Sequence, residues 1–186
     1  MIHVRKVRPE DAEQIRQICA PAKGKGILTK MIRKAMLLVF CDYYLEYETE
    51  HCFVAADENE KAVGYVLCAK DFEVWSRRFT EDFLGKKGGV LAKAMGKGTV
   101  EAMRPYAGDY PAHLHIDIHP DYQKQGIGTA LLDHLTAHLQ EQNIDGVMLN
   151  VAADNAGATC FYQKYGFYEL GRSKHEIAMA VSTRRN

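Results

Sequence analysis

The chain has 186 residues, with 24 Lys and Arg balanced by 24 Asp and Glu, so its formal net charge is zero. That balance offers no basic field, and neither nucleic acid nor an anionic membrane is expected as a partner. An ordinary apolar content of 47%, and a most apolar run confined to residues 36–41, suit a single domain over residues 1–186 and exclude a helical membrane span. The opening MIHVRKVRPEDAEQI lacks the apolar core of a signal peptide, and the five scattered cysteines form no C-x-x-C pair. Buried thiols in a reducing cytoplasm are therefore expected.

In chain order, residues 2–7 alternate as a first strand. Pro9, Glu10 and Asp11 then open a helix to about Cys19, because proline suits the first turn and acids favour the positive end of the helix dipole. Residues 23–26, Lys-Gly-Lys-Gly, read as a loop. A long amphipathic helix is expected over residues 28–47, with Met31, Ala35, Leu38, Asp42 and Leu45 at helical spacing. Residues 52–56 and 62–69 are strands joined by a turn at Asp57, Glu58, Asn59 and Glu60. Residues 71–111 are least legible: Trp75, Phe79, Phe83 and Leu84 suggest helix, residues 85–89 break it, and residues 90–103 form another helix weakened by Gly96 and Gly98. Strand 114–118, helix 128–142, strand 147–151, helix 156–165 and strands 167–171 and 176–181 complete the chain. This order predicts an α/β (α+β) domain, a mixed sheet with helices on both faces.

The chemistry concentrates in residues 113–167. In HLHIDIHP, Leu114, Ile116 and Ile118 point to one face, and His113, His115, Asp117 and His119 to the other. Pro120 ends the ladder, and the chain then turns into a helix whose first N–H groups lack partners, which is an anion site. Gly126 and Gly128 would let a phosphate approach the backbone closely, and Thr129 adds a hydroxyl. A Rossmann fingerprint would need glycine where Leu131 stands, and a phosphate-binding P-loop ending at Gly96 and Lys97 would need it where Leu91 stands.

Gln123-x-x-Gly126-x-Gly128, followed by Asn155-x-x-Ala158-x-x-Phe161-Tyr162-x-x-x-Gly166-Phe167, resembles the acyl-CoA site of the GNAT N-acetyltransferases. The resemblance implies a GNAT fold with a splayed sheet. It also implies acetyl-CoA (coenzyme A) as cofactor and an amine acceptor acetylated by direct attack. Ile116 and Ile118 would polarise the thioester through backbone N–H groups. Gln123, Lys124, Gln125, Gly126, Ile127, Gly128 and Thr129 would hold the pyrophosphate, and Asn155 the pantetheine arm. Tyr162 would bind at the sulfur and act as acid. Asp117 would be the base, with His115, His119, Glu46 and Glu48 as other candidates. Segments around 20–50 and 71–111 would grip the acceptor, and the protein would act as a monomer or homodimer. A narrower resemblance, carried by HIDIHP at 115–120, Asp154 and Phe161-Tyr162, is to the acetyltransferase-like domain of O-GlcNAc hydrolases and its free-standing bacterial relatives. In that group an aspartate and a tyrosine matching Asp117 and Tyr162 are the proposed catalytic pair.

Two other readings compete. One is a non-catalytic acyl-CoA-binding or interaction module, which would keep the glycine turn without the acid and base. The other is a metal-dependent hydrolase, since His113-x-His115-x-Asp117 resembles the HxHxDH run of metallo-β-lactamase-type enzymes. That motif requires histidine at the position of Ile118, so no metal is expected.

Overall fold

The computed structural model describes residues 2–20 and 26–184, so the loop expected at 23–26 lies almost wholly outside the described residues. The alternating start forms β1 (His3–Lys6), and Pro9 opens a single 3-10 turn into α1 (Ala12–Cys19). Asp11 fixes the join. Its buried carboxylate accepts a bidentate pair from Arg5 at 2.7 and 2.9 Å and the Arg8 N–H at 2.8 Å.

The long second helix is present but not uniform. It runs as α2 (Ile27–Leu37), a π turn at Leu38–Asp42 and α3 (Tyr43–Tyr47). The wider turn rotates the buried face. Val39, Cys41, Tyr43 and Tyr44 are consequently buried, whereas Met31, expected on the apolar stripe, is 56% exposed. β2 (Phe53–Ala56) and β3 (Ala62–Ala69) make the expected hairpin, in which Asp57 accepts the N–H groups of Asn59 and Lys61.

The illegible stretch folds as α4 (Phe72–Arg77), a second π turn at Arg78–Phe83, α5 (Leu84–Lys87) and α6 (Val90–Met103). The break falls at Gly88 and Gly89, and Gly85 stays helical. Gly96 is not a weak point but a contact, because a Cβ there would stand 2.3 Å from Leu84 Cδ1. The remaining elements are β4 (Ala112–Ile118), α7 (Ile127–Glu141), β5 (Gly146–Ala152), α8 (Ala156–Tyr165), β6 (Tyr168–Arg172) and β7 (Glu176–Ser182).

The strands form one seven-stranded sheet in the order β1-β2-β3-β4-β5-β7-β6. Every neighbouring pair is antiparallel except β4 and β5. Each face of the sheet carries its own core. On one face Tyr65, Leu67 and Met148 pack with α1, α2, α4 and α6. On the other Val66, Leu114 and Leu149 pack with α7 and α8. Leu131, Leu132, Leu135 and Leu139 of α7 are fully buried, each contributing roughly 1.5–3 kcal/mol. Among the described residues, no helix is long and apolar enough to cross a membrane.

Candidate active site

β4 and β5 pair only at Ala112 with Val147 and His113 with Met148, and beyond those residues the strands part. β4 continues along β3 and β5 along β7, which leaves two facing backbone edges unpaired in the middle of the sheet. Interior backbone groups need partners, so such an opening calls for a ligand. A cleft of ≈ 720 Å³ occupies it. Its walls are β4 from Leu114 to Ile118, the turn into α7, β5 from Leu149 to Ala152, and Asn155, Gly157, Ala158, Phe161 and Tyr162.

The register decides which N–H groups face the opening. His119 donates its N–H to Val63, and Asp117 pairs with Tyr65, so odd-numbered residues of β4 bond toward β3. Ile116 and Ile118 therefore direct their N–H groups into the opening. That of Ile118 is already engaged, donating to Asp117 Oδ1 at 2.8 Å. The Ile116 N–H is left available for a carbonyl.

The turn into α7 is curled. Lys124 has φ 61° and Gly126 φ 80°, both in the left-handed region. Curled backbone of this kind gathers N–H groups around an anion, and holding Lys124 there stores strain of about 1 kcal/mol or more. Gly126 is the N-cap of α7, with no side-chain cap on the helix. The amide of Gln123 donates to Ile118 O at 3.1 Å, and that of Gln125 to Asp121 O at 3.2 Å. These side chains satisfy loop carbonyls and leave the helix N–H groups open. Gln123, Lys124, Gly126, Ile127, Gly128 and Thr129 line the cleft, whereas Gln125 does not. Gly128 lines the cleft and is also closely packed. A Cβ there would lie 2.8 Å from Phe161 Cζ, so this glycine makes room for a side chain of α8.

Asn155 caps α8 by accepting the Ala158 N–H at 3.0 Å and also lines the cleft. Tyr162 is 8% exposed, and its hydroxyl has no hydrogen-bond partner among the described residues. Burial pushes its phenol pKa up, and the Asp117 carboxylate adds to the shift. Burial also raises Asp117, and the bond from Ile118 partly offsets this.

The histidines of β4 separate. His113 is wholly buried, edge-on to Tyr44 and tilted against Trp75, with Nε2 2.9 Å from the Tyr44 hydroxyl. His115 borders the cleft, stacked between Phe40 and Tyr65, with Nδ1 3.1 Å from the Tyr65 hydroxyl. Burial depresses His113 to about 3 and His115 to about 4, so both are neutral near pH 7. His119 is exposed and bonds Asp121. Glu46 pairs with Lys87, and Glu48 sits beside Tyr43 and Arg78; neither borders the cleft. Among the described residues, no group of three or more His, Cys, Asp or Glu side chains is arranged to hold a metal. The partners Phe40, Tyr65 and Asn150 carried no motif and were missed in the sequence. Strand register reveals Tyr65 and Asn150, and the packing of the π turn against β4 reveals Phe40.

A mixed sheet split at its parallel pair, with a glycine turn and an uncapped helix start at the split, is the architecture of the GNAT-fold acetyltransferases. The chain belongs to the Acetyltransferase (GNAT) family, whose model matches residues 13–167. It is 38% identical over 74 residues to the [ribosomal protein bS18]-alanine N-acetyltransferase of Escherichia coli (strain K12), a match covering 40% of this chain and 50% of that protein. The chain thus spans about half the length of the curated relative it matches. The crystal structure of SsHAT superimposes with a TM-score of 0.85 at 28% identity, over 98% of both chains. The NatC complex bound to Gag peptide and CoA shares the fold at a TM-score of 0.61 and 14% identity, over 97% of this chain and 98% of that one.

Proposed function

We propose that this chain is an acetyl-CoA-dependent N-acetyltransferase that delivers the acetyl group to a primary amine. The observation that carries the reading is the parting of β4 from β5, an unpaired strand edge that leads to an uncapped helix start. The residues fit the ligand. The amides of a pantetheine arm would use the unpaired edge, and its phosphates the N–H groups at the start of α7, with Lys124 and Thr129 alongside. Bound there, acetyl-CoA supplies an activated acetyl group.

The chain's own residues position and move protons. Ile116 offers its N–H to the carbonyl oxygen, while Ile118 holds the base through Asp117 Oδ1. Asp117 accepts the proton of the attacking amine, and its raised pKa makes it a better match for that task. The Tyr162 hydroxyl, unpaired among the described residues, holds the proton for the departing sulfur. No side chain need be acylated. Segments 20–50 and 71–111 form the acceptor side. The likeness of residues 115–120 and 161–162 to the acetyltransferase-like domain of O-GlcNAc hydrolases supports the Asp117–Tyr162 pairing. A cytoplasmic enzyme, monomeric or homodimeric, completes the reading.

Calorimetry with acetyl-CoA, followed by a thiol-release screen against amines, aminoglycosides, amino acids and peptides, tests it. A peptide beginning with alanine is the first acceptor to try, given the bS18-alanine relatives. Acetyl-CoA is expected to bind and release free thiol with at least one acceptor. Folded protein that fails to bind acetyl-CoA would remove the basis of the proposal.

A further inference from the structure

The opening has two sides, and the one away from α7 and α8 carries polar groups that the acid and base do not use. His113 pairs with Met148, so these residues share a face. Two residues further along each strand, His115 and Asn150 lie on that same face, on opposite arms of the opening. β7 adds Glu176, which pairs with Ala152 and so faces the same way as Asn150. Asn150 Nδ2 donates to Glu176 Oε2 at 3.2 Å. Only the amide nitrogen can donate to a carboxylate, so Glu176 fixes which way the amide is turned. Asn150 Oδ1 then has no partner among the described residues, while Asn150 lines the cleft. An amide oxygen with no partner among the described residues, on a half-buried residue that lines an open cleft, is free to accept an N–H.

We infer that Asn150 Oδ1, held in place by Glu176, accepts an N–H of the acceptor nitrogen on the face of the opening away from α7, and selects primary over secondary amines. This inference rests on the acetyltransferase reading and deepens it. A primary amine has two hydrogens. One passes to Asp117 as the C–N bond forms and the C–S bond breaks, with Tyr162 protonating the sulfur. The other stays on nitrogen throughout and can remain bonded to Asn150. A secondary amine has no second hydrogen, which would leave Asn150 Oδ1 unpaired in the occupied site. Asn150 touches substrate in this scheme, and Glu176 is a positioning residue.

The test uses two stable probes, so no natural acceptor is needed. In one, the CoA sulfur carries a carboxymethyl group joined to ethylamine as an amide, which puts an N–H at the acceptor position. In the other, that nitrogen is methylated. Calorimetry on the full chain should show wild type preferring the N–H probe. Asn150→Ala should bind that probe about ten-fold more weakly, lose the preference, and keep CoA affinity within about two-fold, which also reports that it is folded. Glu176→Ala should lose part of the preference. Glu176→Gln, which keeps an oxygen for Asn150 Nδ2, should retain it. Discrimination between the probes that is unchanged in Asn150→Ala overturns the inference and leaves the acetyltransferase reading standing. So does an equal loss of CoA and probe affinity, which would place Asn150 on the cofactor side. Failure of wild type to bind CoA overturns both.

Discussion

The edge of the Phe161 ring stands where a Cβ on Gly128 would point, 2.8 Å away, so α7 and α8 meet beside the cleft through a missing side chain. Glycine in the first turn of α7 is therefore a packing residue. Gly128→Ala is expected to cost about 1–3 kcal/mol despite alanine's better helix propensity, because overpacking forces Phe161 off its position. Phe161→Leu in the same chain should recover much of that loss. Urea denaturation of the four proteins in a double-mutant cycle measures it, and additive losses would show that the two residues do not interact.

Gly126 should behave differently. Among the described residues nothing lies within 4 Å of where a Cβ would stand, but its φ of 80° belongs to the left-handed region. Gly126→Ala is expected to cost roughly 1 kcal/mol through backbone strain. Gly126→Val should in addition weaken acetyl-CoA binding strongly, by obstructing the phosphates at the helix start. Thermal shifts with and without acetyl-CoA separate the two effects.

Tyr162→Phe removes a hydroxyl that has no partner among the described residues, so folding stability should change little. With an acceptor in hand, acetyl-CoA affinity should stay within a few-fold, while kcat falls by roughly 10²–10⁴. Steady-state kinetics at saturating substrates decides. An unchanged kcat would hand the sulfur's proton to water or another group.

Asp117→Asn should also slow turnover, and the loss should shrink as pH rises, where more of the amine is already neutral. The amide introduced by this substitution would still offer an oxygen to the Ile118 N–H, so the fold is expected to survive. A pH–rate profile of wild type against variant checks this, and a loss that stays constant at high pH would remove Asp117 as the base.

Stability should fall in mild acid. His113 and His115 have folded-state values of about 3 and about 4, below the ordinary 6.5. The unfolded chain thus binds more protons between those limits. The stabilisation from the neutral rings is complete above about pH 6.5 and is lost as pH drops through about 4 and then about 3. Asp117, raised by burial, contributes with the opposite sign. His113→Phe keeps a ring against Trp75 and removes one titration. It should be less stable at pH 7, since Tyr44 loses its partner, yet have a flatter acid limb. Melting temperature followed from pH 7 to 4 reads both effects.

The amino-acid order by itself determined the local features of this protein. Alternation placed His113, His115 and Asp117 on one face of β4. Pro120 and the glycines located the turn into α7, and the spacing from Asn155 to Phe167 located α8. These rest on steric and hydrogen-bonding rules that act over a few residues, so a linear reading reaches them. The tertiary structure decided what those residues meet. Two histidines two positions apart share a face, yet His113 lies in the core under Trp75 while His115 reaches the cleft, because β4 leaves β5 just past His113. The π turns, the room Gly128 leaves for Phe161 and the bond from Asn150 to Glu176 likewise depend on segments far apart in the chain packing together. Burial and strand register are properties of those long-range pairings, and no local pattern encodes them.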